Sequence, residues 1–345
     1  MEGINSAKIQ QFRSNLGTWF EETARDLPWR KTRGLYQTVV SEFMLQQTQV
    51  KTMLPYFNRW MLQFPDFKTL AKAEEETVVK AWEGLGYYNR ARNLHKLAKA
   101  FILLPKPPKT PQEWQELPGI GPYSSAAISS LAQGYPAAVV DGNVVRVLAR
   151  IIANSNVFNS GAEAIETIRP IADTYLDTGN PARHNEAIME LGALICLKSN
   201  PACMICPVNT CCAAYEQGNT DNIPNILRKK IEKVILNRIL ILSPEGDVLL
   251  HKKPEAEKRL ANIHEFPRVE EIPMKKPETA IIFKGSRGIA NQRFEERFYE
   301  IELTERLLDR IQTKPDLKWI SPNNLEKITL SGPHRKWLPK ILKTI

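Results

Sequence analysis

Four cysteines crowded into one short stretch constrain this chain more than any other feature. The spacing Cys196-x6-Cys203-x2-Cys206-x5-Cys212 lets four thiolates of a single loop converge on one centre. Four soft sulfur ligands suit zinc or an iron–sulfur cluster. Zinc ribbons usually carry two Cys-x2-Cys knuckles and this loop has one, so spacing leans towards iron–sulfur without settling it. Cys211, beside Cys212, reads as a bystander. The chain has five cysteines in 345 residues, all within this stretch, which excludes a disulfide scaffold. The centre reads as structural rather than redox-catalytic, closing a loop beside basic residues such as Lys198.

Upstream of the cysteines the pattern is helical. Leu94, Leu97, Ala98 and Phe101 repeat at i, i+3, i+4, i+7, as do Val144, Val147, Leu148 and Ile151. Pro105–Pro111, Pro118–Pro122 and Gly134-Tyr135-Pro136 punctuate these helices. Downstream, residues 217–225 read as an exposed connector, followed by basic Arg228-Lys229-Lys230. Strand-length apolar runs come next: Val234–Leu242, Val248–Leu250, Ile281–Phe283 and Phe298–Leu303. The expected organisation is a mostly α region over 1–216, a linker over 217–232 and a smaller α+β domain over 233–345.

A formal charge of +9 favours polyanionic partners, nucleic acid above all. Mean hydropathy is −0.33, and no apolar run reaches the roughly 18 residues a membrane span needs. The first 25 residues lack a signal peptide's apolar core, so a soluble, cytoplasmic protein is expected.

Two further segments carry chemistry. In Leu117-Pro118-Gly119-Ile120-Gly121-Pro122-Tyr123, Gly119 and Gly121 leave backbone bare at a helix start, where N–H groups can meet a phosphate. In Val139-Val140-Asp141-Gly142-Asn143, Asp141 is placed to cap the next helix, and a carboxylate fixed there could also stabilise a developing cation. An ordinary turn and a plain N-cap are the simpler readings of each alone. Taken in order with the cysteine spacing, these motifs resemble the helix-hairpin-helix superfamily of base-excision DNA glycosylases. The resemblance implies a [4Fe–4S] cluster on Cys196, Cys203, Cys206 and Cys212, and catalytic work for Asp141.

Strand-cutting members of that superfamily carry a hairpin lysine that forms a Schiff base, and the matching position here is Tyr123. A phenol cannot form an imine, so monofunctional hydrolysis by water is expected. Glu42 lies between Val39-Val40 and Phe43-Met44-Leu45; a carboxyl withdrawn from water there has a raised pKa and can protonate a departing purine. Ser41–Val50 resembles the Ser-Glu-x-Met-Leu-Gln-Gln-Thr signature of MutY-type adenine DNA glycosylases, as do Leu27-Pro28-Trp29-Arg30 and Gly84–Leu94.

That resemblance implies a six-helix barrel, an iron–sulfur helical domain and a Nudix-like C-terminal domain. It makes Glu42 the acid at adenine N7 and then the base for water. Asp141 would stabilise the sugar cation, with Tyr123 and Asn143 in the polar network around it. Trp29, Arg30, Leu45 and Glu186 would line the base pocket, while Gln47, Thr48 and Tyr87 would meet the stack near the partner base. Gly119 and Gly121 would hold phosphate. The implied partner is double-stranded DNA with adenine opposite 8-oxoguanine or guanine, bound by a monomer without a membrane.

Glu265-Phe266-Pro267 matches a Glu-Phe-Pro of the same C-terminal domain, and the Nudix hydrolase signature is absent. The family's lesion-reading Phe-Ser-His aligns with Phe294-Glu295-Glu296, just ahead of the strand-like Phe298–Leu303. Two carboxylates replace hydroxyl and imidazole, which weakens the expectation that 8-oxoguanine is preferred over guanine. Two rivals remain: a thymine or uracil mismatch glycosylase of the superfamily, and a catalytically idle DNA-binding relative.

Overall fold

The structure, a computed structural model, describes residues 6–227, 230–257, 259–272, 274 and 279–343. Arg228 and Lys229 of the basic stretch lie outside the described residues. Two compact units form: Met1–Gln47, Phe57–Ala71 and Lys96–Arg228 in the first, Thr48–Tyr56, Lys72–His95 and Lys229–Ile345 in the second. The second unit thus takes in two upstream pieces besides the C-terminal region. No described helix is long and apolar enough to cross a membrane.

The first unit is helical because its apolar residues recur at helical spacing and its polar residues sit at helix ends. In the helix Gly142–Ile151, Val144, Val147, Leu148 and Ile151 are all buried, packing with Phe12 and Leu16 of the helix Ser6–Thr23 and with Ile188 and Leu191 of the helix Pro181–Leu194. Each such side chain contributes about 1.5–3 kcal/mol by leaving water. Gly192 lets two of these helices touch: a Cβ there would lie 2.6 Å from the Asn143 Cβ. The connector departs from its expected exposure. Asn225–Ile226 pairs in parallel with Val157–Phe158, and Ile223 is buried against the helical core. Two residues per strand carry no detectable period-2 alternation, so this pair was invisible in the sequence.

In the second unit the first strand is shifted by two residues from its apolar run, and the other three run longer than theirs. Glu232–Leu240 lies parallel to Gln292–Glu300, which pairs antiparallel with Ile281–Ile289. A second sheet orders His264–Glu265, Val248–Lys252 and Leu317–Ile320, antiparallel throughout. Leu240, Leu250, Phe266, Phe298, Leu330 and Trp337 share one core cluster. Phe294-Glu295-Glu296 falls inside the strand Gln292–Glu300 rather than ahead of it, so its side chains alternate between faces. Glu296 points inward and is fully buried with Arg238, Glu265 and His334. Glu295 is half-buried and accepts from Arg297 Nε at 2.7 Å. The inward charges survive because all are paired: Arg238 meets Glu265 at 2.9 Å and Glu296 at 2.6 Å, and His334 Nε2 meets Glu296 at 3.0 Å. Desolvation alone would raise the Glu296 carboxyl; His334 and Arg238 overcome it and hold it at about 2.

Candidate active site

The helix Leu35–Leu45 carries Glu42 inward among Val39, Val40, Phe43 and Met44. Only 5% of Glu42 is exposed, and its Oε2 is buried without a hydrogen-bond partner. Desolvation pushes the carboxyl up to about 7; the Tyr123 hydroxyl bonded to it opposes the rise, and the charges of Asp141 and Glu186 add to it. Such a group is half protonated near neutrality, as a general acid requires. Tyr123 opens the helix Pro122–Gln133, and burial beside Glu42 and Asp141 drives its phenol well above the ordinary tyrosine range. It therefore stays protonated. Met189 Sδ lies 3.7 Å from its hydroxyl.

Asp141 caps the helix Gly142–Ile151, as its position in the sequence implied. Its Oδ1 accepts from the backbone N–H groups of Asn143 and Val144, both at 2.8 Å, and Oδ2 accepts from Asn143 Nδ2 at 2.9 Å. Three donors leave the carboxylate one orientation. Asn143 is fixed in turn by Arg146, whose Nη2 donates to Asn143 Oδ1 at 2.9 Å and to Gly192 O at 2.7 Å. Arg146 Nε reaches the Cys196 carbonyl at 2.7 Å. The run entering the cap is held by buried Asn185, which accepts from Val139 N and donates to Ser130 Oγ and the Ala137 carbonyl.

Glu186 and Glu190, one helical turn apart, meet a cluster of arginines. Arg30 bonds Glu186 at 3.2 Å and Glu190 at 3.0 Å, Arg33 bonds Glu186 at 3.1 Å, and Arg25 clasps Glu190 at 2.7 Å through both Nε and Nη2. Burial raises the Glu186 carboxyl despite Arg30 and Arg33. Glu190 is 1% exposed; desolvation pushes it up, but Arg25 and Arg30 prevail and hold it at about 2. Trp29, beside Arg30 on the helix Pro28–Thr32, packs edge-on against Phe57 at 5.2 Å. Leu45, half-buried, ends the Glu42 helix.

In the first unit, then, Glu42, Tyr123, Asp141 and Glu186 come together, with Asn143 and Arg30 one bond away. Gln47 is exposed with left-handed backbone at φ 56°. In the second unit Tyr87 is 49% exposed at φ 49°, with the Arg90 guanidinium 5.6 Å from its ring. Non-glycine residues held in this region cost on the order of 1 kcal/mol, a strain that tends to persist at functional positions. Thr48 accepts from Arg90 Nη2 at 3.3 Å. The hairpin follows the expected geometry: Gly119 has φ 77°, open to glycine, and Gly121 caps the next helix.

Cys196, Cys203, Cys206 and Cys212 line one cavity, whereas Cys211 is buried in the helical core. Arg150 is 2% exposed and touches this cavity. Its Nη1 donates to Cys196 Sγ at 3.2 Å and to the Leu197 carbonyl at 2.7 Å, and its Nε donates to the Ile223 carbonyl at 2.9 Å. Among the described residues no carboxylate pairs with it, and its hydrogen bonds go to sulfur and to backbone carbonyls. Burial pushes the Cys206 thiol up to about 12, so a cationic group is needed to hold these sulfurs as thiolates. No three His, Cys, Asp or Glu side chains among the described residues converge tightly enough for a single metal ion.

Residues 40–169 match the HhH-GPD superfamily of base excision DNA repair proteins. An adenine DNA glycosylase of Buchnera aphidicola subsp. Baizongia pistaciae is 37% identical over 256 residues, covering 70% of this chain and 69% of that protein. The chain belongs to the adenine DNA glycosylase family. Adenine DNA glycosylases of Mus musculus and Schizosaccharomyces pombe are 40% and 36% identical; the matches cover 67% and 69% of this chain but 47% and 56% of those proteins. The chain thus spans about half the length of these eukaryotic relatives. A thermostable thymine-DNA glycosylase superposes with TM-score 0.54 at 28% identity, over 61% of this chain and 98% of its own. An endonuclease III–DNA complex superposes with TM-score 0.52 at 19% identity over 63% of this chain and 99% of its own, a likeness of fold.

Arg146, Arg150, Asn185 and Glu190 were missed in the sequence. A signal existed: Arg146 and Arg150 are four apart on the helix that Asp141 caps, and Glu186 and Glu190 are four apart on the helix Pro181–Leu194.

Proposed function

We propose that this chain is a monofunctional DNA glycosylase that hydrolyses the N-glycosidic bond of adenine paired with guanine or 8-oxoguanine in duplex DNA. The observation that carries this reading is the Glu42 carboxyl: buried, poised near pH 7, with one oxygen unpartnered beside the fixed carboxylate of Asp141. Protonated Glu42 gives its proton to N7 of the flipped adenine, and the C1′–N9 bond breaks with its electron pair on the base. Asp141 offsets the oxocarbenium charge left on the sugar. Glu42, now a carboxylate, takes a proton from the water whose oxygen bonds C1′. Tyr123 and Asn143 order the polar network, and Glu186, Arg30, Trp29 and Leu45 wall the pocket.

Gly119 and Gly121 offer bare N–H groups to phosphate, and Gln47, Thr48 and Tyr87 meet the stack around the partner base. Flipping costs a few kcal/mol, which these contacts offset. Cys196, Cys203, Cys206 and Cys212 would hold a [4Fe–4S] cluster, with Arg150 as a buried countercharge. When bound, the cluster ties together a loop whose Cys196 carbonyl secures Arg146 and hence Asn143. The C-terminal region is read as a Nudix-like domain that senses the partner base, and the protein as a cytoplasmic monomer.

The test is release of adenine from mismatched duplexes by the wild type and by Glu42→Gln. Duplex binding should survive in the variant while release is lost; substantial turnover by Glu42→Gln removes Glu42 from the acid role.

A further inference from the structure

Within the second unit, a cavity of about 380 Å³ lies between the end of the sheet built on Val248–Lys252 and the segment Lys72–His95. Strand register brings its polar residues together. Lys252 pairs with His264 and Leu250 with Lys318, and the period-2 alternation puts all four on one face of the sheet. Leu250 belongs to the core, so this apolar face ends in cations. Five cations line the cavity: Lys80, Arg92, Lys252, Lys318 and Lys327. Two are neutralised. Arg92 Nε donates to Glu75 at 3.1 Å, and Lys80 Nζ donates to Glu83 at 2.6 Å and to the Ile328 carbonyl at 2.8 Å. Lys252 only approaches Glu76, at 3.9 Å, and that carboxylate is 86% exposed, so water screens the pair. Lys327 Nζ donates to the uncharged Asn324 Oδ1 at 3.0 Å. Lys318 is exposed and meets no carboxylate among the described residues.

His264 adds a second kind of group. It is 8% exposed and lines the same cavity, and its Nδ1 donates to the Thr329 carbonyl at 3.2 Å, which leaves Nε2 for whatever enters. Burial, helped by Lys252 and His251, lowers its pKa against the pull of the Thr329 carbonyl and Glu76, so the ring is neutral near pH 7 and Nε2 is an acceptor. Lysines without counter-ions beside a buried acceptor suit a ligand that carries phosphate oxygens and hydroxyl groups together. The volume is at the lower end of the roughly 300–1,000 Å³ of small-molecule sites. Duplex DNA presents its phosphates on a convex backbone, which a concave site of this size does not match. We infer that this cavity binds a nucleoside diphosphate, or a phosphate ester of similar size and charge, through Lys252, Lys318, Lys327 and His264. No part of this depends on adenine release.

The experiment is calorimetric titration of the full chain with adenosine diphosphate and with adenosine, at low salt and without divalent cations. The diphosphate should bind with a Kd below about 1 mM, and adenosine should not bind detectably. Lys318→Glu should weaken the diphosphate at least about tenfold. Lys340→Glu makes the same charge change outside the cavity, on the exposed side of the helix Gly332–Ile341, and should leave binding within about twofold. Both substitutions alter exposed side chains, so melts without ligand should match the wild type. A wild type that ignores the diphosphate overturns the inference, as does adenosine binding equally well, or a loss seen in both variants or in neither. Displacement of the diphosphate by duplex DNA, with duplex binding weakened to the same degree in Lys318→Glu, overturns it too and makes the cavity a backbone contact.

Discussion

Replacing Glu42 by glutamine should stabilise the protein and do so only above a certain pH. Burial lifts the folded carboxyl from 4.5 to about 7. A raised folded pKa means that the protonated form is the stable one. The benefit of burying Glu42 is therefore fully present below pH 4.5 and is lost as pH rises through 7, by roughly 3 kcal/mol in all. Glutamine keeps the shape and never ionises, so it avoids that loss. The stability difference between Glu42→Gln and wild type should grow by about 3 kcal/mol in favour of the variant from pH 4.5 to pH 8.5. In thermal melts followed by tryptophan fluorescence, this is a widening of about 6 °C or more for a unit of this size. Measuring both proteins at each pH cancels the other titrating groups. A difference that stays flat across this range would refute the claim that Glu42 is desolvated.

Four shorter predictions follow from the same geometry. Single-turnover adenine release should fall about tenfold per pH unit above pH 7, and Glu186→Gln, by removing a charge that raises Glu42, should move the inflection to lower pH. Tyr123→Lys should create a borohydride-trappable covalent complex with DNA, and the wild type should form none. Gly192→Ala should destabilise the first unit by about 1–3 kcal/mol in denaturant melts, because its methyl group would meet Asn143 at 2.6 Å. Cys203→Ser should lose the brown iron–sulfur absorbance and lower the melting temperature; an equally stable, colourless variant with full DNA affinity would contradict a structural role for the loop.

How much of this was readable in the chain depends on how locally each feature is encoded. The helices around Leu94–Phe101 and Val144–Ile151 carry strong periods, and Asp141 sits where a cap must sit, so these needed no tertiary information. The burial of Glu42 was legible from its apolar neighbours within one helix. The partnerships of Arg146, Arg150 and Asn185 were not, since each joins segments about 40 to 75 residues apart in the chain. The reading of Phe294-Glu295-Glu296 as lying ahead of a strand failed because its two glutamates mask the period-2 pattern. One of them is inward, fully buried and neutralised by Arg238, a pairing that local propensity cannot foresee.

The most direct test is to incubate the purified protein with a duplex containing adenine opposite 8-oxoguanine or guanine, then split the products and treat half with alkali. The account predicts free adenine, with strand breaks at the adenine position only in the alkali-treated half. Breaks without alkali, or thymine or uracil released in place of adenine, would contradict it.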